Sequence, residues 1–372
     1  MVMLEEYKIY VAPGALALLA FTISMLLTRI FSLPGFRYQI LDVPNARSLH
    51  AFPVSRIGGI AICMAIIVVV PISVYLFEEE AHMISIALGA AIIALVSFLD
   101  DRFTLSVMVR FVVHGCAAAL LIVEGFRIIS IELPGWYWQW PFLVSVGFTV
   151  LYVIWMVNLY NFMDGMDGFS GGMAVIGFGT YALLGWQGGA LQFATLNLIV
   201  AGSVLGFLLF NFPPAKIFMG DVGASTMGFV VASFSLWAHR DGIFPIWIAV
   251  LVFSPFIVDA TITLLKRLWR GERIWEAHKS HYYQRLVQAG WGHRKTVLWE
   301  YLIMTLCGVS AIAILNENYL NQWLLLLTWG LAYAVIITMI GKMPGYDTRG
   351  VVGSGVNKIK ETRRNRKTPP CD

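Results

Sequence analysis

The 372-residue sequence is 58% hydrophobic and only 13% charged, with a formal net charge of +4, against about 25% charged residues in ordinary soluble domains. That balance excludes an ordinary soluble enzyme and places the chain among multi-span membrane proteins before any motif is considered. Its four cysteines have no paired spacing, which argues against a disulfide framework or a zinc cluster.

A bilayer span takes roughly 20 mostly apolar residues. Eleven such runs follow one another: 11–33, 57–77, 84–99, 107–124, 141–158, 169–185, 192–211, 223–238, 244–265, 298–315 and 321–341. The first is too long for a signal-peptide core and lacks a small-residue cleavage site, so it reads as a transmembrane helix. No internal repeat is evident, and low complexity is confined to the basic tail. The loops near 34–56, 100–106, 159–168, 211–222 and 266–297 hold thirteen Lys and Arg residues, and the tail after 341 holds eight more. The opposite side has only Lys8, Arg127 and Arg240. The positive-inside rule then predicts a periplasmic N-terminus and a cytoplasmic C-terminus. The outer loops are short and partly acidic (Glu78, Glu79, Glu80), and Trp136-Tyr-Trp-Gln-Trp140 has the composition of an interfacial aromatic belt. The expected fold is all-α: one polytopic transmembrane domain over residues 1–341 and a basic cytoplasmic tail, 342–372, expected to be disordered. The tail serves as a topology signal with an attraction for anionic lipid, and nothing else in the chain supports nucleic-acid binding.

The polar chemistry collects on the cytoplasmic side. In Asn158-Leu-Tyr-Asn-Phe-Met-Asp-Gly-Met-Asp-Gly-Phe-Ser170, two carboxylates (Asp164, Asp167), two amides (Asn158, Asn161) and two glycines crowd one connection. Carboxylates and amides are hard oxygen donors of the kind Mg2+ prefers, usually one or two per ion together with substrate phosphates. A polar turn that only satisfies helix ends has the same composition. What favours a site is that similar stretches recur on that side: Asp42-Val-Pro-Asn-Ala-Arg-Ser-Leu-His50 followed by Arg56 and Gly58-Gly59, Phe98-Leu-Asp-Asp-Arg102, Asn211 to Ser225, and His278-Lys-Ser-His-Tyr-Tyr-Gln-Arg-Leu286. Asp100 and Asp101 repel each other unless a cation or a shared proton relieves them. Gly220-Asp221-Val-Gly223 precedes a helix start, where free backbone N–H groups favour phosphate, although Asp221 would also suit a plain N-cap. His278, His281 and Arg285 form an anion-binding face if their segment is helical; zinc would want more ligands. Asp259 lies late in the ninth run, where an ionisable group is costly; it lines the cavity or neutralises Arg267 or a basic loop residue.

In this order and spacing the motifs resemble the polyprenyl-phosphate N-acetylhexosamine-1-phosphate transferase family (glycosyl transferase family 4), over about residues 34–295. The resemblance rests on Asp42-x-Pro-Asn-x-Arg-Ser-x-His50 with Gly58-Gly59, Phe98-Leu-Asp-Asp101, Asn158-x-x-Asn-Phe-Met-Asp-Gly-x-Asp-Gly168 and Gly220-Asp-x-Gly-x-Ser225. It implies an enzyme of the bacterial inner membrane whose partners are a UDP-N-acetylhexosamine, undecaprenyl phosphate and the bilayer; a homodimer is compatible with it. The implied cofactor is Mg2+, with Mn2+ as a substitute, held by Asp221 and Asn161. Asp100 and Asp101 are the implied groups for deprotonating or orienting the lipid phosphate. Asp164 and Asp167 line the nucleotide side, with Asp167 at the uracil. By its position one to two helical turns after the Asp pair, Arg110 either meets the lipid phosphate or only anchors its helix at the interface. His281, with His278 and Arg285, faces the diphosphate; Asn158 and Arg56 complete the substrate-binding set.

The histidine motif departs from the family. Some branches carry two or three nearly adjacent histidines, whereas here His281 holds the first place and Tyr283 and Gln284 stand in the others. The departure argues against a muramoyl-pentapeptide donor and resembles the subgroup that starts O-antigen synthesis with an N-acetylated hexosamine, either N-acetylglucosamine or a 6-deoxy relative such as N-acetylfucosamine or N-acetylquinovosamine. Two other classes compete. A transporter with an acidic cytoplasmic gate would explain the spans and Asp259, but it usually brings repeats and midplane sites. A scaffold for cytoplasmic partners would need the tail and not the acids. Within the enzyme class, a covalent aspartyl-phosphate route competes with direct attack.

Overall fold

A computed structural model describes residues 11–44, 49, 52–77, 82–273 and 278–343. Arg47, His50, Glu78 to Glu80 and the basic tail lie outside the described residues.

Each of the eleven apolar runs is helical. In order they form α1 (Ala12–Phe31), α2 (Gly58–Phe77), α3 (His82–Phe103), α4 (Val107–Val123), α5 (Phe142–Met163), α6 (Phe169–Gln187), α7 (Leu191–Asn211), α8 (Gly220–Arg240), α9 (Ile246–Val252) with α10 (Ser254–Trp269), and then, after the short α11 (Tyr282–Leu286), α12 (Gly292–Ile314) and α13 (Tyr319–Gly341). Among the described residues eight helical stretches are long and apolar enough to cross a membrane, and a bent pair makes a ninth. That pair corrects the sequence reading of 244–265 as one straight span: α9 and α10 meet at 83°. Pro255 is tolerated in the first turn of α10 but would clash with the residue 251 carbonyl in a continuous helix. The Ser254 hydroxyl takes up that freed Leu251 carbonyl at 2.7 Å.

Helix α8 is the axis of the bundle. Every residue from Val222 to His239 is buried, with α3 and α5 as its main neighbours and α2 and α9 beside it. Being ringed by protein, it has no need to be apolar all round, which explains its serines and terminal charges. Close packing depends on missing side chains, as is usual between membrane helices. A Cβ on Gly59 would strike Gly223, and one on Gly228 would strike the backbone of Met156 and Val157. At the periphery, Leu324, Leu327, Leu331 and Val335 of α13 are exposed apolar residues that suit lipid.

The two ends of the bundle differ. At one end an antiparallel hairpin, β3 (Ser130–Leu133) with β4 (Trp136–Gln139), presents exposed Trp136, Tyr137 and Trp138, where the sequence places an aromatic belt. Trp323 donates to the Pro134 carbonyl at 2.9 Å, so α13 starts at this end and residue 343 lies at the other. At that other end the two-residue strands β1 (Leu41–Asp42) and β2 (Val54–Ser55) pair antiparallel and the motif-bearing loops gather.

The helix packing makes a direct prediction. Gly59→Leu is expected to destabilise the protein by about 1–3 kcal/mol through overpacking. Gly147→Leu, whose side chain would enter open space, is expected to leave the thermal unfolding midpoint in detergent unchanged.

Candidate active site

A short backbone zipper assembles the site. Phe218 N donates to the Ser55 carbonyl at 2.7 Å, and Gly58 N and Gly59 N donate to the carbonyls of Phe218 and Met219 at 3.0 and 2.8 Å. Gly220 turns the chain at φ +71°, and its missing side chain leaves room for the Arg56 carbonyl. The zipper lays Arg56 across the start of α8, next to the end of α3.

There the two arginines and the paired aspartates meet. Arg110 Nη1 donates to Asp100 Oδ2 at 2.7 Å, and the Leu105 N–H holds Asp100 Oδ1 at 2.7 Å. Arg56 Nη1 lies 3.2 Å from Asp101 Oδ1, and its Nη2 donates to the Asp101 carbonyl at 2.7 Å. Asp221, in the first turn of α8, feels the charges of Asp100, Arg56 and Arg110, and the Asn161 side chain hydrogen-bonds it. Asn161 also reaches Ser225 Oγ at 3.4 Å. Asp164, capping the end of α5, feels the charges of Asp221 and Asp101. Asp164 is half-buried. Burial first, and then those two neighbours, push its carboxyl well above the usual carboxylate range. Four aspartates from three helix ends therefore share one recess with two arginines.

This donor set fits a hard divalent cation. Asp221 and Asn161 are adjacent, negative charge is in excess, and Asp101 Oδ1 is buried without a hydrogen-bond partner despite its contact with Arg56. Among the described residues no three His, Cys, Asp or Glu side chains close around one point tightly enough to hold an ion by themselves. Mg2+ does not require such a cage, because substrate phosphates and water usually complete its shell.

Asp167 and Asn158 lie outside that cluster. Asp167 Oδ2 accepts the Ala215 N–H at 3.0 Å, and its Oδ1 lies 3.1 Å from His293 Nδ1. Nearby, Asn211 accepts the Gly168 N–H and donates to the Ile217 carbonyl, both at 2.9 Å, and Tyr301 donates to the Gly168 carbonyl at 2.5 Å. Gly168 has φ +74°, open to glycine at no steric cost. Together these bonds tie the α5–α6 turn to the loop before α8. Asn158 sits one turn before Asn161, donates to the Ile154 carbonyl at 2.7 Å and lies 3.4 Å from His114 Nδ1 on α4. His293 is the site residue that sequence reasoning missed: no motif marks it, and its partner is remote in the chain.

The histidine segment is held from behind. Asp259 Oδ1 lies 3.1 Å from His281 Nδ1 and accepts the Tyr282 N–H at 2.9 Å, while Oδ2 accepts the Tyr283 N–H at 3.0 Å. Of the partners the sequence leaves open for Asp259, the structure shows a loop histidine, while the Arg267 guanidinium engages Glu272 and the Arg273 carbonyl. His278 bonds Ser280 Oγ at 2.8 Å, and Arg285 donates to the Ser280 carbonyl at 3.0 Å. Tyr283 is fully buried, stacks near Phe169 and donates to the Phe162 carbonyl. Gln284 accepts the His281 N–H. Both residues that stand in place of further histidines are thus engaged inside the protein.

Comparison with known proteins gives these motifs a family. The glycosyl transferase family 4 model matches residues 83–239. A probable undecaprenyl-phosphate N-acetylglucosaminyl 1-phosphate transferase of Bacillus subtilis is 32% identical over 310 residues, covering 79% of this chain and 84% of that protein. The chain belongs to glycosyl transferase family 4. Two further relatives of this family-4 chain span similar lengths. A decaprenyl-phosphate N-acetylglucosaminephosphotransferase of Mycobacterium leprae is 28% identical over 81% of this chain and 82% of its own. The undecaprenyl-phosphate alpha-N-acetylglucosaminyl 1-phosphate transferase of Escherichia coli K12 is 24% identical over 79% and 82%.

The histidine segment carries a pH prediction. Burial, helped by the charges of His281 and Arg267, pushes the His278 imidazole down to about 3. A depressed histidine stabilises the fold fully above its unfolded value of about 6.5 and loses that contribution as pH falls towards the folded value. His278→Gln is therefore expected to keep more of its pH 7 unfolding midpoint at pH 5 than the wild type does, as measured by thermal unfolding in detergent.

Proposed function

We propose that this chain transfers N-acetylglucosamine 1-phosphate from UDP-N-acetylglucosamine to undecaprenyl phosphate, releasing UMP, at the cytoplasmic face of a bacterial inner membrane. The observation that carries the reading is the recess of Asp100, Asp101, Asp164 and Asp221 with Arg56 and Arg110 at one end of a membrane-spanning bundle, in a chain whose relatives are named for this transfer. The side assignment follows from the Lys and Arg bias. The three relatives' names agree on N-acetylglucosamine. The 6-deoxy donors UDP-N-acetylfucosamine and UDP-N-acetylquinovosamine come second, on the departure at Tyr283 and Gln284. The product would start a cell-envelope glycan such as O-antigen.

An oxygen of the lipid phosphate attacks the sugar-bearing phosphorus, a new P–O bond forms, and the P–O bond to UMP breaks. One diphosphate replaces another, so catalysis is mainly positioning and charge neutralisation. Arg110 and Arg56, each committed to an aspartate in the free chain, turn to the incoming lipid phosphate. Asp100 and Asp101 then orient that phosphate; its second pKa near 6 makes a strong base unnecessary at neutral pH. Asp221 and Asn161 would hold Mg2+, which supplies positive charge to the donor diphosphate when bound. Asp164, Asp167 and Asn158 serve the nucleotide side, and His281, with His278 and Arg285, serves the diphosphate.

Purified protein, undecaprenyl phosphate, Mg2+ and a panel of UDP-sugars test the proposal. UMP release from UDP-N-acetylglucosamine, with the lipid diphosphosugar found by mass, is the expected result. Release from a 6-deoxy donor alone would move the sugar assignment. No UMP from any donor, from folded protein with an active relative alongside, would reject the reading and return the transporter and scaffold alternatives.

A further inference from the structure

Asp259 is buried in a membrane-embedded helix, 8% exposed, and its oxygens accept from four donors on two elements. Thr263 Oγ1 on its own helix reaches Oδ1 at 3.1 Å. The other three are the backbone N–H groups of Tyr282 and Tyr283 and the His281 ring. A single N–H at the start of α11 could be met by Asn or Ser, but here Oδ1 and Oδ2 each accept a backbone N–H while Oδ1 also faces the ring. The two N–H groups and the ring together call for a carboxylate, whose charge is costly at membrane depth. A carboxylate only accepts, so His281 Nδ1 must carry the hydrogen. That leaves Nε2, which Asp259 does not engage, as the working nitrogen, while the Gln284 backbone N–H also approaches the His281 side chain. The ring plane is fixed as well, with Tyr283 stacked at 5.8 Å on one contact and His278 at 4.8 Å on another. The same segment abuts the carboxylate recess: the Tyr283 hydroxyl and the Gln284 amide lie where a Gly165 side chain would stand, next to Asp164.

We propose that Asp259 is a positioning residue for the transfer reaction, holding His281 in its Nδ1–H form so that Nε2 meets a phosphate oxygen of the donor. The assignment rests on the proposed function and adds a residue to it. Asp259 touches no substrate itself. It sets the hydrogen on His281, fixes the ring's rotation, and stabilises the imidazolium when Nε2 is protonated or hydrogen-bonded to phosphate.

Two readouts test it. In the first, ¹⁵N-histidine spectra of the full chain in nanodiscs report the protonated nitrogen of His281, assigned through His281→Ala. The expected spectrum shows Nδ1–H in the wild type and its loss in Asp259→Asn. In the second, UMP release is compared for Asp259→Asn, His281→Ala and the double variant. Asp259→Asn is expected to lower kcat about 10- to 100-fold, the range seen when a group that orients a ligating residue is removed, with the KM for the UDP-sugar within about twofold. The double variant should be no slower than His281→Ala, because the two residues act as one unit. Asp259→Ser keeps a capping oxygen without the charge; it replaces Asn if that variant fails to fold, and the same loss is expected. An unchanged His281 spectrum, or a double variant slower than His281→Ala by another tenfold, would overturn the proposal in favour of a cap alone. If the wild type itself releases no UMP, the proposed function falls and the nitrogen spectrum alone decides the Asp259–His281 assignment.

Discussion

Mutual repulsion among four half-buried carboxylates is the constraint around which the motif-bearing end of this bundle is built. Asp100, Asp101, Asp164 and Asp221 sit at the ends of α3, α5 and α8, close enough to feel one another's charge. In a low-dielectric recess that arrangement is costly unless cations answer it. Arg56 and Arg110 answer part of it in the free chain. The remaining excess, including the Asp101 Oδ1 whose only contact is Arg56, is the charge that the proposed metal would answer. On the proposed reading these charges favour a diphosphate that arrives with its metal.

Holding such a site requires a rigid frame. The frame is α8, buried along its length and packed so closely that Gly59, Gly223 and Gly228 admit no side chain. The zipper between residues 55–59 and 218–219 then carries Arg56 to the first turn of α8. Asp167 and Asn211 staple the next loop in place. Among the described residues, the segments 55–59 and 218–219, and 167–168 and 211–217, are bonded to one another near the aspartates.

Much of this was legible in the sequence because the helix ends are. Phe98-Leu-Asp-Asp101, the Asn161 to Asp164 turn and Gly220-Asp221 each stand where an apolar run stops or starts, and a common membrane side brings helix ends together. Helical phase was harder. Asn158 and Asn161 look alike in the motif, yet one turn of helix directs Asn158 to His114 and Asn161 to Asp221. Hydropathy could not show the bend between α9 and α10, because Pro255 interrupts hydrogen bonding without interrupting apolarity. Pairings across long sequence separations, Asp259 with His281 and Asp167 with His293, leave no local trace.

The central claim is that the aspartate recess is a metal–diphosphate site with Asp221 as a metal ligand. Its most direct test is UMP release by wild type and Asp221→Asn across a range of Mg2+ concentrations, with thermal unfolding as a control for folding. The account predicts that Asp221→Asn folds normally but loses about 100-fold or more in kcat, the scale of removing one preorganised charge contact, with a higher Mg2+ requirement. A folded Asp221→Asn protein with full activity at limiting Mg2+ would contradict it.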